Sequence, residues 1–337
     1  MRKAMVPLTV ILSVMTILLA AVWMRYARDI KELETRVDSS VVYDRHYIMI
    51  AQDNSRMWQT IYESARDTAA GESVYLEWAG WGGADEYTAA DCMQIAIASR
   101  VDGIILYTDG DSRISGLIDE AMEQGIPVVT VMNDDTESRR VSYVGVNHYQ
   151  LGNICGEQVL ELLEEGENRI MMISGSAAGD VGTNLMYSQM NQVIARGKKA
   201  DQTVKISTYT IEGNTNFDAE EAIRDIFVNS QTVPDILICM DTISAECACQ
   251  AVVDYNQVGK VDVIGYYASE TIADGVERGL LSMTVALDME EMGDFCVGAL
   301  NEYLDLGYVS NYFNVGLDVL TRDNVNRYLA AQADEEA

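Results

Sequence analysis

A regular alternation of short apolar runs with longer amphipathic segments constrains this chain most, and it extends from about residue 46 to about residue 290. The apolar runs, such as YIMIA and DGIILYT, have the length of buried strands. The segments between them place apolar residues three and four positions apart, which is typical of helices. Strands and helices in this order form right-handed βαβ units on a parallel sheet. The chain carries two such series, so the sequence predicts an α/β fold with two doubly wound parallel-sheet lobes.

An apolar run without charged side chains precedes the two series. It covers residues 4–24, and a helix of that length spans about 30 Å, which matches the hydrocarbon core of a membrane. We therefore expect residues 4–24 to be an N-terminal transmembrane helix, either an anchor or an uncleaved signal, followed by a juxtamembrane segment at residues 25–44. Basic residues flank the run on both sides, so they do not decide its orientation. Cleavage after Ala20-Ala21 stays open.

Composition argues against several functions. The 53 acidic residues outnumber the 23 basic ones, and a net charge of -30 repels nucleic-acid phosphates. We therefore expect no nucleic-acid partner. The chain has two histidines and none of the common nucleophile-elbow, zinc-protease or phosphate-loop motifs, so we expect no cofactor, no metal and no catalysis. A hydrolase is a less favoured alternative to a protein without catalysis. Paired carboxylates such as Asp134-Asp135 could act as its acid and base.

Candidate ligand-binding residues follow the predicted strands, because open α/β sheets bind ligands at the carboxyl ends of their strands. These positions are rich in Asn, Asp, Ser and aromatic residues, which also serve in turns and as helix N-caps. Trp81 could stack on an apolar face of a ligand, hold a cation or pack within a lobe. The strand-end candidates are Asn54, Trp81, Thr108, Asp109, Asn133, Asp134, Asp241, Tyr267 and Asp288.

One run has a specific resemblance. The sequence IAQDNSRMWQTIYESA, at residues 50–65, is similar to the opening strand, loop and helix of ribose-type periplasmic binding proteins. The segments EQGIPVVTVMNDD and SYVGVNHYQLGNICGEQVLELL follow in the family's order, and the resemblance covers about residues 45–320. The chain thus resembles the type I, LacI-like periplasmic binding proteins that serve ABC transporters.

The resemblance implies a lobe arrangement with a hinge of three crossings. We place these crossings near residues 145–147, 286–288 and 306–309. The implied divisions are an N-terminal lobe of residues 45–147 plus 288–306, a C-terminal lobe of residues 148–287 plus 307–322, and a tail at residues 323–337.

The resemblance also assigns residues. In the family an Asn and a pair of aromatics meet the sugar; Asn54 matches the Asn and Trp58 the second aromatic. Asn147 at the first crossing, and Asn184, near the place of a family Arg, complete the predicted set. The family's Asp-Arg pair is replaced at Met132-Asn133, and Asp241 stands where the family has Asn. These changes imply a ligand other than ribose.

The function implied is that of an extracytoplasmic solute-binding protein. It would capture a small polar ligand, with a carbohydrate favoured, between the lobes and present the closed form to an ABC permease. The alternative is a ligand-binding sensor component for a membrane histidine kinase or chemoreceptor. In either case we expect a single-pass protein of the cell membrane with its soluble domain outside. A repressor would need a DNA-binding domain at the position of the anchor.

Overall fold

In a computed structural model, the structure describes residues 43–52, 54–79, 87–174, 181–211, 216–228 and 233–335. The predicted anchor at 4–24, most of the juxtamembrane segment and Trp81 lie outside these residues. Within the described ranges, no helix has the length and apolar composition needed to cross a membrane.

The described elements alternate along the chain as the sequence predicts. The strands are β1 (Arg45–Ile50), β2 (Val74–Ala79), β3 (Gly103–Leu106), β4 (Val128–Val131), β5 (Ser142–Gly145), β6 (Gly166–Ser174), β7 (Gln202–Thr210), β8 (Ile236–Cys239), β9 (Asp262–Ile264), β10 (Thr284–Leu287), β11 (Tyr312–Asn314) and β12 (Leu317–Leu320). The helices are α1 (Arg56–Gly71), α2 (Ala89–Ser99), α3 (Ile114–Glu123), α4 (His148–Leu162), α5 (Val181–Gly197), α6 (Asn216–Val228), α7 (Thr242–Asp254), α8 (Glu270–Glu277), α9 (Met289–Leu306) and α10 (Val325–Glu335).

Two parallel sheets organise the fold. The first has the order β11-β5-β4-β3-β1-β2, and the second has the order β7-β6-β8-β9. Strand β10 is antiparallel to β12, and a parallel bridge between Ile264 and Met283 lies just before it. In each series the first strand lies between the second and the third: β1 lies between β2 and β3, and β6 lies between β7 and β8. This reversal is the switch point of a doubly wound sheet, where ligands bind beyond the strand ends.

The first sheet is buried on both faces. Along β1, Tyr47 and Met49 belong to one apolar cluster, while Ile48 and Ile50 belong to another that includes residues of α2 and α3. This alternation follows from the two-residue period of a strand. Strands covered on both sides are apolar throughout, which explains the uninterrupted runs in the sequence.

The chain passes between the sheets after β5, after β10 and after β11. The first two passages lead directly into α4 and α9. The third lies at Val315–Gly316 rather than near residues 306–309. Tyr312 pairs with Tyr143, so β11 belongs to the first sheet, and the assignment of 307–322 to the second lobe was wrong for this strand. A three-residue strand has too few positions to show a period in the sequence.

The segment predicted as a tail, residues 323–337, contains a helix. Residues Val325–Glu335 form a helix, α10, in which Val325 is fully buried. Tyr328 and Leu329 pack against the same apolar cluster. Their spacing of three and four residues from Val325 is that of one helix face.

Candidate functional site

The carboxyl ends of β1, β3, β4, β8 and β9 carry most of the predicted ligand residues. Three further features decide what each residue can do: whether it is exposed, whether it caps a helix, and whether a neighbouring side chain already occupies its polar atoms.

Asn147, Asp241 and Asp288 are the N-caps of α4, α7 and α9. Their side-chain oxygens accept hydrogen bonds from the backbone N–H groups three residues later, at 3.1, 2.7 and 2.9 Å. Each therefore satisfies a donor that the helix itself leaves unpaired. Asn147 and Asp288 are otherwise exposed, while Asp241 is half-buried.

Asp241 has a second oxygen that the helix does not use. Its Oδ2 atom is buried and has no hydrogen-bond partner among the described residues. A buried acceptor without a partner costs about 1–3 kcal/mol, and a donor supplied by a ligand would remove that cost. Asp241 therefore has a structural reason to contact a ligand; among the described residues, Trp58 Nε1 and Ser142 Oγ are likewise buried without a hydrogen-bond partner.

Asn133, Thr108 and Asp109 build the turns at the ends of β3 and β4. The Asn133 side chain donates to the Thr108 carbonyl at 3.1 Å and so ties the two strand ends together. Thr108 is buried, with 4% of its surface exposed. Asp109 is exposed, and its Oδ1 accepts from the Asp111 N–H at 2.9 Å.

Asp134, a predicted ligand residue, is engaged by neighbouring side chains. Both of its oxygens bind the Arg140 guanidinium, with 2.6 Å between Oδ2 and one terminal nitrogen, and Thr130 donates to it at 3.0 Å. Arg140 continues to the Asn311 side chain at 2.7 Å. The pair joins the β4–β5 connection to the segment before β11.

Trp58 is a further predicted ligand residue. Its side chain is fully buried, and its ring meets Tyr107 edge-on with 5.4 Å between ring centroids. Trp58 shares a buried helix face with Ile61 and Ala65, so its position three and seven residues before them indicates core packing. The ring of Trp58 is thus part of the core in this structure, while contact with a ligand stays a prediction.

Tyr107 is a residue that the sequence interpretation missed. It follows β3 directly, is half-buried and lies beside Trp58 at the switch point of the first sheet. Its position directly after the run GIIL could have identified it. The sequence interpretation instead counted Tyr107 as part of the strand.

The remaining predicted residues differ in exposure. Asn54 and Asn184 are exposed, and the Asn54 carbonyl accepts from the Gln59 side chain at 2.8 Å. Tyr267 is half-buried against Tyr266, with 4.1 Å between ring centroids. Burial raises the pKa of Tyr266 well above its ordinary value, and Tyr267 adds to the rise, so the phenol is neutral. No group of His, Cys, Asp and Glu side chains suited to a metal ion occurs in the part of the chain that the structure describes.

Two doubly wound sheets whose strand ends carry hydrogen-bonding groups define a class of two-lobed α/β binding proteins. The periplasmic binding protein domain matches residues 46–307, and the chain belongs to that family. No curated protein sequence matches the chain.

Solved structures share the fold. A solute-binding protein of an ABC transporter from Burkholderia graminis, in complex with D-arabinose, is 18% identical with a TM-score of 0.75, covering 85% of this chain and 98% of that one. GanP, a glucose-galactose binding protein from Geobacillus stearothermophilus, is 21% identical with a TM-score of 0.71, covering 83% and 98%. A XylFII-LytSN complex gives 21% identity, a TM-score of 0.70 and the same coverage.

Proposed function

We propose that this chain is an extracytoplasmic solute-binding protein that captures a small polar ligand, a sugar or a similar polyol, between its two sheets. The observation that carries the proposal is the buried Oδ2 of Asp241 near the carboxyl end of β8, for which the described part of the chain offers no hydrogen-bond partner. A ligand hydroxyl is a donor of the required kind. Sugars bound by proteins of the same fold, D-arabinose among them, support this ligand class.

Presentation of the closed form to an ABC permease is the leading role within this proposal. Support comes from the similarity to a solute-binding protein of an ABC transporter. The three passages of the chain between the sheets would serve as the hinge, because a ligand that contacts both sides favours the closed form. We further propose that residues 4–24 anchor the chain in the cell membrane by a single span, with the binding domain outside.

A sensor component is the second candidate. The structure of XylFII in complex with LytSN shows that a protein of this fold can assemble with a second protein. A ligand-dependent contact with a membrane histidine kinase or chemoreceptor would use the same cleft and the same closure.

Binding without catalysis is part of the proposal. The pair Asp134-Asp135, which would be needed for acid and base roles, is engaged elsewhere. Asp134 binds Arg140, and Asp135 accepts from Ser115 Oγ at 2.6 Å and from the Glu137 N–H at 3.2 Å. A hydrolase would need carboxyl groups free to exchange protons with a substrate.

The test uses the full chain in detergent micelles and follows intrinsic fluorescence during heating. The probes are D-arabinose, D-galactose, D-glucose, D-xylose and, as a cation, spermidine. A ligand present at about 100 times its dissociation constant adds about 2.7 kcal/mol of stability. If none of these compounds nor a wider set of sugars and polyols raises the melting temperature, the solute-binding proposal fails.

Asp241→Asn then locates the site. Asn caps a helix as well as Asp does, so the fold is preserved, while the buried acceptor and its charge are lost. We expect about tenfold weaker binding, as the loss of a charge-assisted hydrogen bond predicts. Asp91→Asn is the matched control, because it also replaces a carboxylate at the start of a helix, α2, and Asp91 is not among the predicted ligand residues, so affinity should stay within about twofold. Equal effects of the two substitutions would refute the assignment of Asp241.

A further inference from the structure

Two residues with side chains adopt the left-handed backbone conformation at corresponding places in the two sheets. Met132, with φ of 67°, directly follows β4, and Tyr267, with φ of 68°, lies three residues after β9. Strands β4 and β9 are each the fourth strand of their series. This conformation brings Cβ close to the backbone carbonyl and is unfavourable for residues other than glycine.

A hydroxyl group from the next strand of each series binds the carbonyl of the left-handed residue. Tyr143 Oη, on β5, donates to the Met132 carbonyl at 2.8 Å. Thr284 Oγ1, on β10, donates to the Tyr267 carbonyl at 2.6 Å. The same device therefore occurs once on each side of the cleft, with different donor side chains.

A glycine lies beside each hydroxyl group, and its lack of a side chain leaves space for that group. A Cβ atom on Gly145 would lie 2.1 Å from Tyr143 Oη, and one on Gly265 would lie 2.9 Å from Thr284 Oγ1. Any other residue at either position would displace the donor. All three parts, a left-handed residue, a hydroxyl and a glycine, thus occur in both series.

The turn at Met132 is tight. The Asn133 N–H donates to the Val131 carbonyl at 2.8 Å, so Met132 is the central residue of a γ-turn with positive φ, which is rare and strained. The turn directs the next side chain, that of Asn133, to the Thr108 carbonyl. Holding Met132 in place therefore fixes the ends of both β3 and β4.

Aromatic rings pack beside both devices. Tyr143 stacks on Tyr312 of β11, with 5.5 Å between ring centroids and 17° between planes. On the other side, Tyr266 packs on Tyr267. Tyr143 and Tyr266 both lie in the interior, at 7% exposure each, and Tyr143 is among the groups whose charge raises the pKa of Tyr266. Each device thus lies beside a pair of packed tyrosine rings.

We propose that Tyr143 and Thr284 are positioning residues whose hydroxyls hold Met132 and Tyr267 in the left-handed conformation and so fix the two facing edges of the ligand cleft before a ligand arrives. The link to ligand binding rests on the proposed function, whereas the positioning itself does not.

The test measures amide hydrogen exchange in the full chain in detergent micelles without ligand. Tyr143→Phe keeps the stacked ring and removes the hydroxyl. We expect amides in the segment 132–138 to exchange about fivefold faster, as the loss of one net hydrogen bond predicts. In a Met132→Gly background the same substitution should change exchange by less than about twofold, because glycine adopts positive φ without the hydroxyl's help.

The matched control is Tyr62→Phe. Tyr62 Oη also donates to a backbone carbonyl, that of Leu76 at 3.1 Å, but Leu76 lies in a strand with ordinary backbone angles. Tyr62→Phe should therefore change amide exchange to the same extent with Leu76 in place and in a Leu76→Gly background. Thr284→Val and Tyr267→Gly form the second cycle. If Tyr143→Phe accelerates exchange equally with Met132 in place and in the Met132→Gly background, or in neither, the proposal is overturned.

Binding is measured separately with the sugar that stabilises the chain. If exchange responds as expected and no sugar binds, the positioning role stands and the solute-binding function falls. If a sugar binds and exchange does not respond, the solute-binding function stands and the positioning role is overturned.

Discussion

Replacement of Asp134 by Asn tests whether this carboxylate supports the fold or contacts a ligand. The Arg140 side chain is 8% exposed and that of Asp134 is 20% exposed, so the pair is largely removed from water. Breaking a buried ion pair by removing one partner typically costs about 3–5 kcal/mol, because the remaining charge is left uncompensated. Arg140 keeps its bond to Asn311, so we expect the lower end, about 3 kcal/mol.

The assay is urea unfolding followed by intrinsic fluorescence. Glu123→Gln provides the control, since its pair with Arg139 is exposed and should contribute no more than about 1 kcal/mol. Adding Arg140→Met to Asp134→Asn should recover part of the loss, because no unpaired charge then stays buried. Unchanged stability together with lost sugar affinity would refute this reasoning and restore Asp134 as a ligand residue.

Two further predictions concern packing and pH. A Cβ on Gly293 would lie 2.4 Å from the Ile61 carbonyl, so Gly293→Ala should destabilise the α1–α9 contact by about 1–3 kcal/mol in urea unfolding. Gly298→Ala, in the same helix with open space around it, should be neutral or stabilise by up to about 1 kcal/mol; similar losses at both sites would contradict the close approach. Burial raises the pKa of Tyr47 to about 12, so its neutral form is favoured in the folded state. Stability should be intact below the unfolded pKa of about 10 and decrease as pH rises from there toward about 12. Urea midpoints measured across this range should fall less for Tyr47→Phe, and an identical fall would exclude Tyr47 as a cause.

The sequence predicts the fold well because strands buried on both faces and amphipathic helices have different periods. That difference survives in a single sequence for every long element. It does not survive for β11, which has three residues and gains its place only by pairing with β5. The helix α10 was missed for another reason: Val325, Tyr328 and Leu329 show a helical spacing, but the polar residues after them suggested a solvated end.

The candidate site was harder to predict because strand-end residues have several uses. Asp, Asn and Ser at these positions cap helices, close turns or contact ligands, and all three uses require the same atoms. Asp134 illustrates the difficulty, since its partner Arg140 is six residues away and carries no recognisable pattern. Trp58 illustrates a second difficulty. The first turn of a helix that follows a strand lies near the cleft, but the side chains on its inward face lie in the core.

The hydrogen bonds of Arg140 restrict which side chains of the cleft can recognise a sugar. Its guanidinium is buried on Asp134 and Asn311, so it does not supply the bidentate clamp on sugar hydroxyls that a free arginine after the fourth strand would offer. Under the proposed function, the specific contact is the buried Oδ2 of Asp241, which has no partner among the described residues and can only accept a hydrogen bond. Among monodeoxy analogues of a sugar that binds, one analogue should therefore lose about tenfold or more in affinity, because the buried acceptor stays unsatisfied. In Asp241→Ala the same analogue should bind as well as the parent sugar, and calorimetric titration measures both. A loss that persists in Asp241→Ala would show that the discriminating hydroxyl meets another residue.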